Sequence, residues 1–416
     1  MKRLPVVVLA VLVATIVVAA SLRWRAHAPP APFPGPVAAP AASSRDAGPP
    51  VWPAPPAVDA PHGAQMLHGG PRHAHRSAGN APTHAPSVAW ATDVGGPVEA
   101  QVTTSPDGQT LYAASLGGTL TALARADGAV KWRLDLGDRV YATPCVGPDG
   151  TLYAGSDAKK VVAVSPEGKI KWSLDTDGDA DTGPVLAADG TIVFAAGRMV
   201  YGVTPLAYVR WRFAAKRKVY TSPAIGAGGH VYFGSQDHHA YALTPEGGPL
   251  WSVDLGADVD GAPVVGDDGA VFFGTDAGEV VRVEPASGGV VWRAKLGGYV
   301  RGTLSVARGG DVLAGVYGPA PRQVRLDAAT GAVRWSFAVQ GTGAREFGVH
   351  GGALEDDAGR LLFGAQDDVV YALGGDGTLA WRFTTGGDVD APVTLVGDGA
   401  VVVGSDDGKV RLLRAE

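Results

Sequence analysis

Eight polar residues recur along the chain at intervals of 39 to 49 residues, each directly after a small apolar residue that is usually valine. If the fold gathers them, their carboxylate, phenol, guanidinium and imidazole groups would form a polar mouth that holds a ligand or peptide. The signs of their charges nearly alternate from repeat to repeat. A second interpretation is therefore that side chains of neighbouring repeats neutralise each other's partly buried charges. Under that second interpretation His350 and Arg301 are the residues left over for binding. The eight residues are Glu99, Tyr141, Asp181, Tyr220, Asp260, Arg301, His350 and Asp390.

Two segments have ligand types that suit a metal ion. The stretch "DTDGDADTG" (175–183) has carboxylates at alternate positions, as calcium loops do, but its twelfth position is Leu186 instead of a closing Glu. Similar links recur at 254–261 and 386–392, so repeated link chemistry accounts for the pattern. Four histidines occupy a Gly/Pro-rich lead-in, where we expect solvated side chains. They are His62, His68, His73 and His75. We predict no metal site in either segment.

The remaining reactive residue types form no catalytic pattern. His238 and His239 are expected at an exposed turn, and Cys145, the single cysteine, is expected to be a buried apolar residue. One cysteine allows no intrachain disulfide and no CxxC pair. No Ser-His-Asp set and no carboxylate pair in contrasting environments stands out. The sequence therefore predicts a protein that is not an enzyme.

The elements that must position these residues are defined by tryptophan. Eight of the ten tryptophans are spaced by 39 to 46 residues, and each interval holds four short apolar runs punctuated by DG, GG or TG turns. Four short strands per repeat of about 41 residues is the pattern of a β-propeller blade. Each of the eight lies on the fourth strand of its repeat. They are Trp90, Trp132, Trp172, Trp211, Trp251, Trp292, Trp335 and Trp381.

The ends of the repeat region predict how the ring closes. After the C-terminal run "GKVRLLRAE" the expected fourth strand with its tryptophan is missing. Conversely, "SVAWATD" (87–93) has the tryptophan of a fourth strand, but the three strands that should precede it are missing. An open ring would leave an unpaired edge that favours aggregation. We therefore predict an all-β fold, an eight-bladed propeller of four-stranded antiparallel blades over residues 87–416, closed by pairing of residues 87–93 with residues 408–414.

The loop sequences indicate which face of this propeller binds a partner. We call the four strands of a blade A to D outward from the axis, with the tryptophan on D. The turns between A and B, and between C and D, have uniform sequences, as in "PDG" and "GDG". The opposite face varies from blade to blade and includes "KRK" (216–218), "QDHH" (236–239) and "QGTGAREFGVH" (340–350). Loops on a rigid scaffold are where binding usually takes place, so we place function on that face.

The N-terminal region predicts export. Lys2 and Arg3 precede an apolar run that ends at residue 22, which suits a cleaved signal peptide or a helical membrane anchor. Residues 23–61 form a Pro/Ala-rich linker, with twelve prolines within 29–61, and residues 62–86 form the lead-in. No cysteine lies near the end of the apolar run, so we do not expect a lipoprotein. The expected location is periplasmic or otherwise extracytoplasmic, with a tether to the inner membrane or release from it.

Charge narrows the class of partner. Residues 1–86 hold seven Lys/Arg and two Asp, whereas the rest of the chain holds 28 basic and 39 acidic residues. Such an acidic domain is a poor match for nucleic acid, whose phosphates require a basic surface. We predict no nucleic-acid partner.

The repeats also resemble a known family. "DGTLYAGSD" (149–157), "VVAVSPEGKIKW" (161–172) and "LDAATGAVRW" (326–335) are similar to the repeats of PQQ-like propellers, in which a segment that ends in tryptophan docks each blade on its neighbour. The resemblance implies this docking role for the eight tryptophans. The family contains PQQ-dependent dehydrogenases, which use a quinone, Ca²⁺, an aspartate base and a vicinal cysteine pair. It also contains the non-catalytic propeller of the outer-membrane β-barrel assembly machinery. The single cysteine and near-minimal blades favour the second kind, which implies a monomeric envelope scaffold that binds a protein partner and no cofactor. A PQQ/Ca-dependent dehydrogenase and a small-ligand sensor are the alternatives.

Overall fold

The computed structural model describes residues 59–60, 63–350 and 352–416, and there it forms eight four-stranded antiparallel blades. Two further short strands, Asp59–Ala60 and Arg76–Ser77, add in parallel to strand A of blade seven, so that this sheet has six strands. The predicted fold class is confirmed. The predicted apolar helix at 1–22, His62 and nearly all of the linker lie outside the described residues. Among those residues, no helix has the length and apolar character needed to cross a membrane.

In each blade, strand A lies nearest the axis and strand D lies outermost. Strands A of blades one to eight are Thr103–Thr104, Cys145–Val146, Val185–Leu186, Ala224–Ile225, Val264–Val265, Ser305–Val306, Leu354–Glu355 and Thr394–Leu395. Strands B are Thr110–Ala114, Leu152–Ser156, Ile192–Ala196, Val231–Gly234, Val271–Gly274, Val312–Val316, Leu361–Ala365 and Val401–Gly404.

Strands C and D complete the blades. Strands C are Thr119–Ala124, Lys160–Val164, Met199–Val203, His239–Leu243, Glu279–Val283, Arg322–Leu326, Val369–Leu373 and Lys409–Arg414. Strands D are Val130–Asp135, Ile170–Asp175, Val209–Ala214, Pro249–Asp254, Val290–Lys295, Val333–Ala338, Leu379–Thr384 and, for blade eight, Ser87–Asp93. The 3₁₀ turns are Leu67–Gly69 and Ala227–Gly229.

The burial of the strands follows their distance from the axis. Strand B of every blade is buried along its whole length because it packs against neighbouring blades on both faces. Strand D of blade two alternates between exposed and half-buried residues, as expected for an outer strand with one side in water. Cys145 on strand A is fully buried, and burial raises the pKa of its thiol to about 12.

The ring closes between the two ends of the repeat region. Strand Ser87–Asp93 pairs antiparallel with Lys409–Arg414, from Ser87 opposite Arg414 to Asp93 opposite Lys409. The predicted closure is confirmed, and blade eight is built from segments more than 300 residues apart. Both strand edges that an open ring would expose are thereby paired.

A tryptophan on each strand D bonds to the next blade. The indole Nε1–H donates to a backbone carbonyl over 2.7 to 3.0 Å, in seven blades to a carbonyl of the C–D turn. Blade eight has no C–D turn, and Trp381 donates instead to the carbonyl of Pro82, just before the closing strand. The eight acceptors, in the order Trp90 to Trp381, are Arg125, Pro166, Pro205, Pro245, Pro285, Ala328, Gly375 and Pro82.

The lead-in from Gly63 to Asn80 crosses the axis and closes one end of the central channel. Its backbone carbonyls accept hydrogen bonds from the end of strand A in blades one, two, four, five, six and seven. Ser77 Oγ donates to the Leu395 carbonyl of blade eight, and Met66 belongs to the same buried cluster as Val185 of blade three. We call residues 63–80 the axial plug.

The prediction of solvated lead-in histidines is wrong for the three that the structure describes. His68, His73 and His75 are buried, with positive φ values of 53°, 59° and 56°. Their Nδ1 atoms lie within 3.3 Å of the carbonyl oxygens of His73, Pro263 and Gly352, and the rings of His68 and His75 stack 3.9 Å apart. These bonds satisfy buried backbone carbonyls, which offsets the cost of removing the rings from water.

The plug predicts a loss of stability in acid. Burial lowers the pKa of His73 from 6.5 to about 4. His73 therefore becomes protonated near pH 6.5 in the unfolded chain but only near pH 4 in the folded chain. The free energy of unfolding falls as the pH drops from about 6.5 to about 4. In His73→Asn, the side-chain amide can still donate to the Pro263 carbonyl, but it does not titrate. Between pH 7 and pH 4 this variant should lose about 3 kcal/mol less unfolding free energy than the wild type, measured by urea denaturation.

Comparing the variant with the wild type cancels the contributions of titrating groups that do not interact with His73; His68 and His75, which do, also lose the repulsion of a charged His73 in the variant. His84→Asn, at an exposed position, is the matched control and should leave the pH dependence unchanged. An identical pH dependence for His73→Asn and wild type would contradict the burial argument.

The docking turns predict a second stability difference. At Gly168, whose φ is +80°, an added Cβ would lie 2.6 Å from Cδ2 of the Trp132 ring. At the matching position of blade three, Ala207 already has a φ of +67°. Gly168→Ala should destabilise the protein by about 1–3 kcal/mol, whereas Ala207→Gly should not destabilise it. Thermal unfolding of both variants checks this, and equal destabilisation by the two would refute it.

Candidate functional site

The D–A links and B–C turns surround a funnel-shaped cavity of about 490 Å³ on one face of the ring. The cavity ends at Leu67 of the axial plug, so the plug forms its floor. All eight polar residues singled out in the sequence line this cavity. They are Glu99, Tyr141, Asp181, Tyr220, Asp260, Arg301, His350 and Asp390.

Blades two, four and six each place a cation beside a tyrosine at the mouth. Arg139 lies 5.7 Å from the Tyr141 ring centroid, Lys218 lies 5.1 Å from that of Tyr220, and Arg301 lies 4.2 Å from that of Tyr299. We call these the three rim pairs. They are partly solvent-exposed, with Arg139 at 57% and Lys218 at 45% side-chain exposure.

Each rim cation is also neutralised by a carboxylate. Arg139 Nε lies 3.1 Å from Asp157, Lys218 Nζ lies 3.5 Å from Asp179, and Arg301 Nη2 lies 2.7 Å from Asp276. Arg301 also contacts Glu346 of the long link before blade seven. From blade two to blade six, the alternation of sign therefore works as charge compensation within and between adjacent blades.

Sequence reasoning missed the carboxylates of the B–C turns. Asp157, Asp276 and Asp406 occupy the same position in "GSD" (155–157), "GTD" (274–276) and "GSD" (404–406). This recurring G-[ST]-D turn is the signal that would have found them. Two of the three neutralise a rim cation, and the third does not.

Carboxylates cluster between blades eight and one, and none of the described Lys or Arg residues forms an ion pair with them. Glu99, Asp390 and Asp406 place carboxylate oxygens within 4.8 Å of one another, and Asp388 lies beside them. We call these four residues the acidic sector. Burial and the neighbouring Asp390 raise the pKa of Glu99 to about 7, and raise that of Asp388 and of Asp406 to about 6.

The basic groups that border this sector are committed elsewhere or lie too far away. His350 Nδ1 is 3.9 Å from Asp390 Oδ1, beyond hydrogen-bond distance, and its ring meets Tyr317 edge to face. Arg411 bonds to Asp407 and to Ser405 Oγ. The acidic sector is thus an electrostatic cost of the fold, whereas each rim cation of blades two, four and six has a carboxylate partner.

The other sequence candidates occupy separate places. In the stretch 175–183, Asp177 accepts a hydrogen bond from Tyr201, Asp179 faces Lys218, and Asp181 lines the funnel, where burial and the Asp157 carboxylate raise its pKa. His238 Nε2, in the B–C turn of blade four, lies 3.2 Å from Asp258 Oδ1. His239, the first residue of the following strand C, has its Nδ1 2.8 Å from the Asp237 carbonyl oxygen.

This architecture identifies the class of protein. An eight-bladed ring with tryptophan docking is a PQQ-like β-propeller. The family described as outer membrane protein assembly factor BamB matches residues 84–206, 205–281, 236–344 and 320–416, and the chain belongs to it. No curated protein matches the sequence.

Two solved structures are similar in fold. BamB from Moraxella catarrhalis is 16% identical with a TM-score of 0.64, over 79% of this chain and 99% of that one. A europium-containing methanol dehydrogenase is 11% identical with a TM-score of 0.70, over 83% of this chain and 90% of that one. At such identities the likeness establishes the fold alone, since propellers of one architecture have different functions.

The acidic sector predicts that neutralising one carboxylate stabilises the protein. The folded state keeps the Glu99 proton up to about pH 7, whereas the unfolded state releases it near 4.5, so stability is lost as pH rises through 7. Because Glu99 is partly exposed, screening reduces the effect, and Glu99→Gln should gain about 1–2 kcal/mol at pH 8 and almost nothing at pH 4.5. Denaturant unfolding of metal-free protein at both pH values measures this.

Asp407→Asn provides a control of opposite sign. Burial alone would raise the pKa of Asp407, but its bonds with Arg411 and Ser405 outweigh burial and lower the pKa to about 2. This variant should therefore lose stability at pH 8. A loss of stability in Glu99→Gln at pH 8 would contradict the repulsion described for the sector.

Proposed function

We propose that the protein is a non-catalytic scaffold of the cell envelope that docks a segment of another outer membrane protein assembly component on its funnel face. The observation that carries this proposal is the set of three rim pairs around the mouth. Tyrosine and arginine are enriched where protein interfaces bind most strongly, because they combine large apolar area with directional polar groups. Membership in the assembly-factor family supports a partner of this kind.

The geometry of the rim suits an extended peptide segment. The pairs stand on alternate blades, so a chain crossing the mouth meets an aromatic face and a polar head in turn. Tyr220 is 38% exposed in the absence of a partner, which leaves its ring available for contact. The carboxylates that hold Arg139, Lys218 and Arg301 fix these cations before binding and reduce the entropy lost on docking.

The charge of the funnel argues against a quinone enzyme. Six carboxylates and three Lys/Arg side chains line the cavity, and all three cations already contact a carboxylate. PQQ is itself a tricarboxylate, so its anionic groups would meet a net negative lining whose three Lys/Arg side chains are already paired with carboxylates. The side chains of the described residues alone therefore do not fit this cofactor, and we propose no redox step.

The N-terminal region would determine where in the cell the propeller is located. A signal peptide or anchor at 1–22 and a Pro-rich linker at 23–61 would carry the propeller across the inner membrane and set it at a distance from the membrane. The first segment and all of the linker except residues 59–60 lie outside the described residues.

Site-specific photo-crosslinking tests the docking face. A photoreactive phenylalanine analogue in place of Tyr220 should give a discrete adduct in cells, identified by mass spectrometry as an outer-membrane assembly component. Tyr208 is the matched control, since it is a 68% exposed tyrosine on the C–D turn of blade three, on the other face. Arg139→Ala combined with Arg301→Ala should reduce the Tyr220 adduct at least tenfold, roughly the effect of losing one strong contact.

The outcomes separate the alternatives. An equal adduct from position 208, or an adduct insensitive to the arginine changes, would place docking elsewhere. Reduction of an electron-acceptor dye by purified protein supplied with PQQ, Ca²⁺ and an alcohol or sugar would overturn the non-catalytic proposal. Adducts made only with small metabolite-binding proteins of the cytoplasm would contradict the envelope location.

A further inference from the structure

One of the eight D–A links on the funnel face is longer than the other seven. In those seven, nine residues separate strand D from the strand A that follows it. Between Ala338 and Leu354, fifteen residues take this place. The ring itself does not require the insertion, because the shorter links connect the same strands, and insertions in surface loops are where binding functions usually arise. We call residues 340–350 the strap.

Backbone hydrogen bonds fix the chain on both sides of the strap's tip, which consists of residues 341–346. The Val339 amide donates to the Pro321 carbonyl at 3.1 Å, and the Gly318 amide donates to the Phe347 carbonyl at 2.9 Å. The tip between these bonds is exposed and makes no backbone hydrogen bond to any described residue outside it. A segment of this kind can move without breaking the hydrogen bonds of the blades.

Two side chains hold the tip on the rim pair of blade six. The Glu346 carboxylate forms an ion pair with Nη1 of Arg301. The other two guanidinium nitrogens, Nε and Nη2, bond to Asp276, so Nη1 is the one that remains for a second carboxylate. The Arg345 guanidinium lies 5.6 Å from the Tyr299 ring centroid. Glu346 is 64% exposed, and exposed ion pairs contribute at most about 1 kcal/mol to stability, so the tip is held weakly.

The rim pair of blade six differs from the other two in the order of its residues. In blades two and four the cation comes two residues before the tyrosine, whereas in blade six Tyr299 comes before Arg301. As a result Arg301 lines the funnel, but Tyr299 lies outside the lining and contacts the strap. A segment that lies along the rim can therefore reach both side chains without entering the funnel.

We propose that the rim pair of blade six is a binding site for adjacent basic and acidic residues of an extended segment, and that Arg345 and Glu346 fill it in the free protein. The acidic residue pairs with Arg301, and the basic residue lies against the Tyr299 ring. A partner segment of the same chemistry has to displace the tip, so the strap limits access to this part of the rim. This purpose rests on the proposed docking function, whereas the site can be tested without a partner.

A peptide added to purified full-length protein tests the site. Deletion of residues 341–346 empties the rim pair and leaves nine residues in the link, as in the other seven. A fluorescein-labelled peptide GTGAREFG, which copies residues 341–348, should bind this variant at least tenfold more tightly than the wild type. In the wild type the tethered tip competes at an effective concentration of roughly millimolar. Fluorescence anisotropy in roughly 10 mM salt, where the Debye length is about 30 Å, measures the affinity.

Matched variants decide whether the rim pair is the binding site. In the deletion variant, Arg301→Ala should reduce the affinity for the peptide at least tenfold, roughly the effect of losing one strong contact. Lys218→Ala, in the rim pair of blade four with the opposite order, should leave the affinity unchanged. A control peptide GTGAAAFG, which lacks both charged side chains, should bind at least tenfold more weakly than GTGAREFG.

A second variant covers the case in which the deletion prevents folding. Arg345→Ala combined with Glu346→Ala empties the site within a link of unchanged length and should give the same gain in affinity for the peptide. Equal affinity for the wild type and the emptied variant, or affinity that is insensitive to Arg301→Ala, overturns the proposal. Because the assay contains no envelope component, that result would leave the crosslinking test at Tyr220 unaffected.

Discussion

Each blade buries both of its faces against neighbours, and this mutual burial is the constraint on which the rest of the structure depends. A strand B that is buried along its whole length is stable only while a blade stands on either side of it. The ring must therefore contain every interface or lose part of its core. The indole bonds from Trp90 to Trp381 fix the distance between outer strands at each interface. Pro82 takes the acceptor role in the one blade that lacks a C–D turn, which shows that the bond matters more than the turn that usually supplies it.

The axial plug turns this ring into a funnel. Because its carbonyls bond to six strands A, the plug links blades that do not touch one another. It also gives the cavity a floor at Leu67, so the polar mouth leads to a closed recess and not to a channel. The chemistry of the recess then divides by sector. Blades two, four and six present tyrosines beside cations that carboxylates neutralise, and blades eight and one hold carboxylates close together. One ring position in successive repeats has thus acquired different chemistry.

The sequence predicted those features that recur with the repeat. The spacing of Trp90 to Trp381 gave the blades, and the unmatched strand at 87–93 gave the closure, because a missing strand is visible in a periodic pattern. The residue after each small apolar residue gave the funnel lining for the same reason. The plug was missed because residues 63–80 have no period, and Gly/Pro-rich composition hides backbone bonds that form only with distant blades. The acidic sector was also missed, since Asp406 meets Glu99 only after the ring has closed.

The pairing of Ser87–Asp93 with Lys409–Arg414 also sets the order in which the chain can fold. The first strand of the propeller has no partner until the last residues are available, and the contact spans more than 300 residues. Contacts of such long range are slow to form, because the loop between them must be ordered first. Blades one to seven can assemble from local hairpins, while the closing strand and the plug before it remain without their final contacts. During that interval the early chain exposes a strand edge, and protection from aggregation depends on how quickly the last blade arrives.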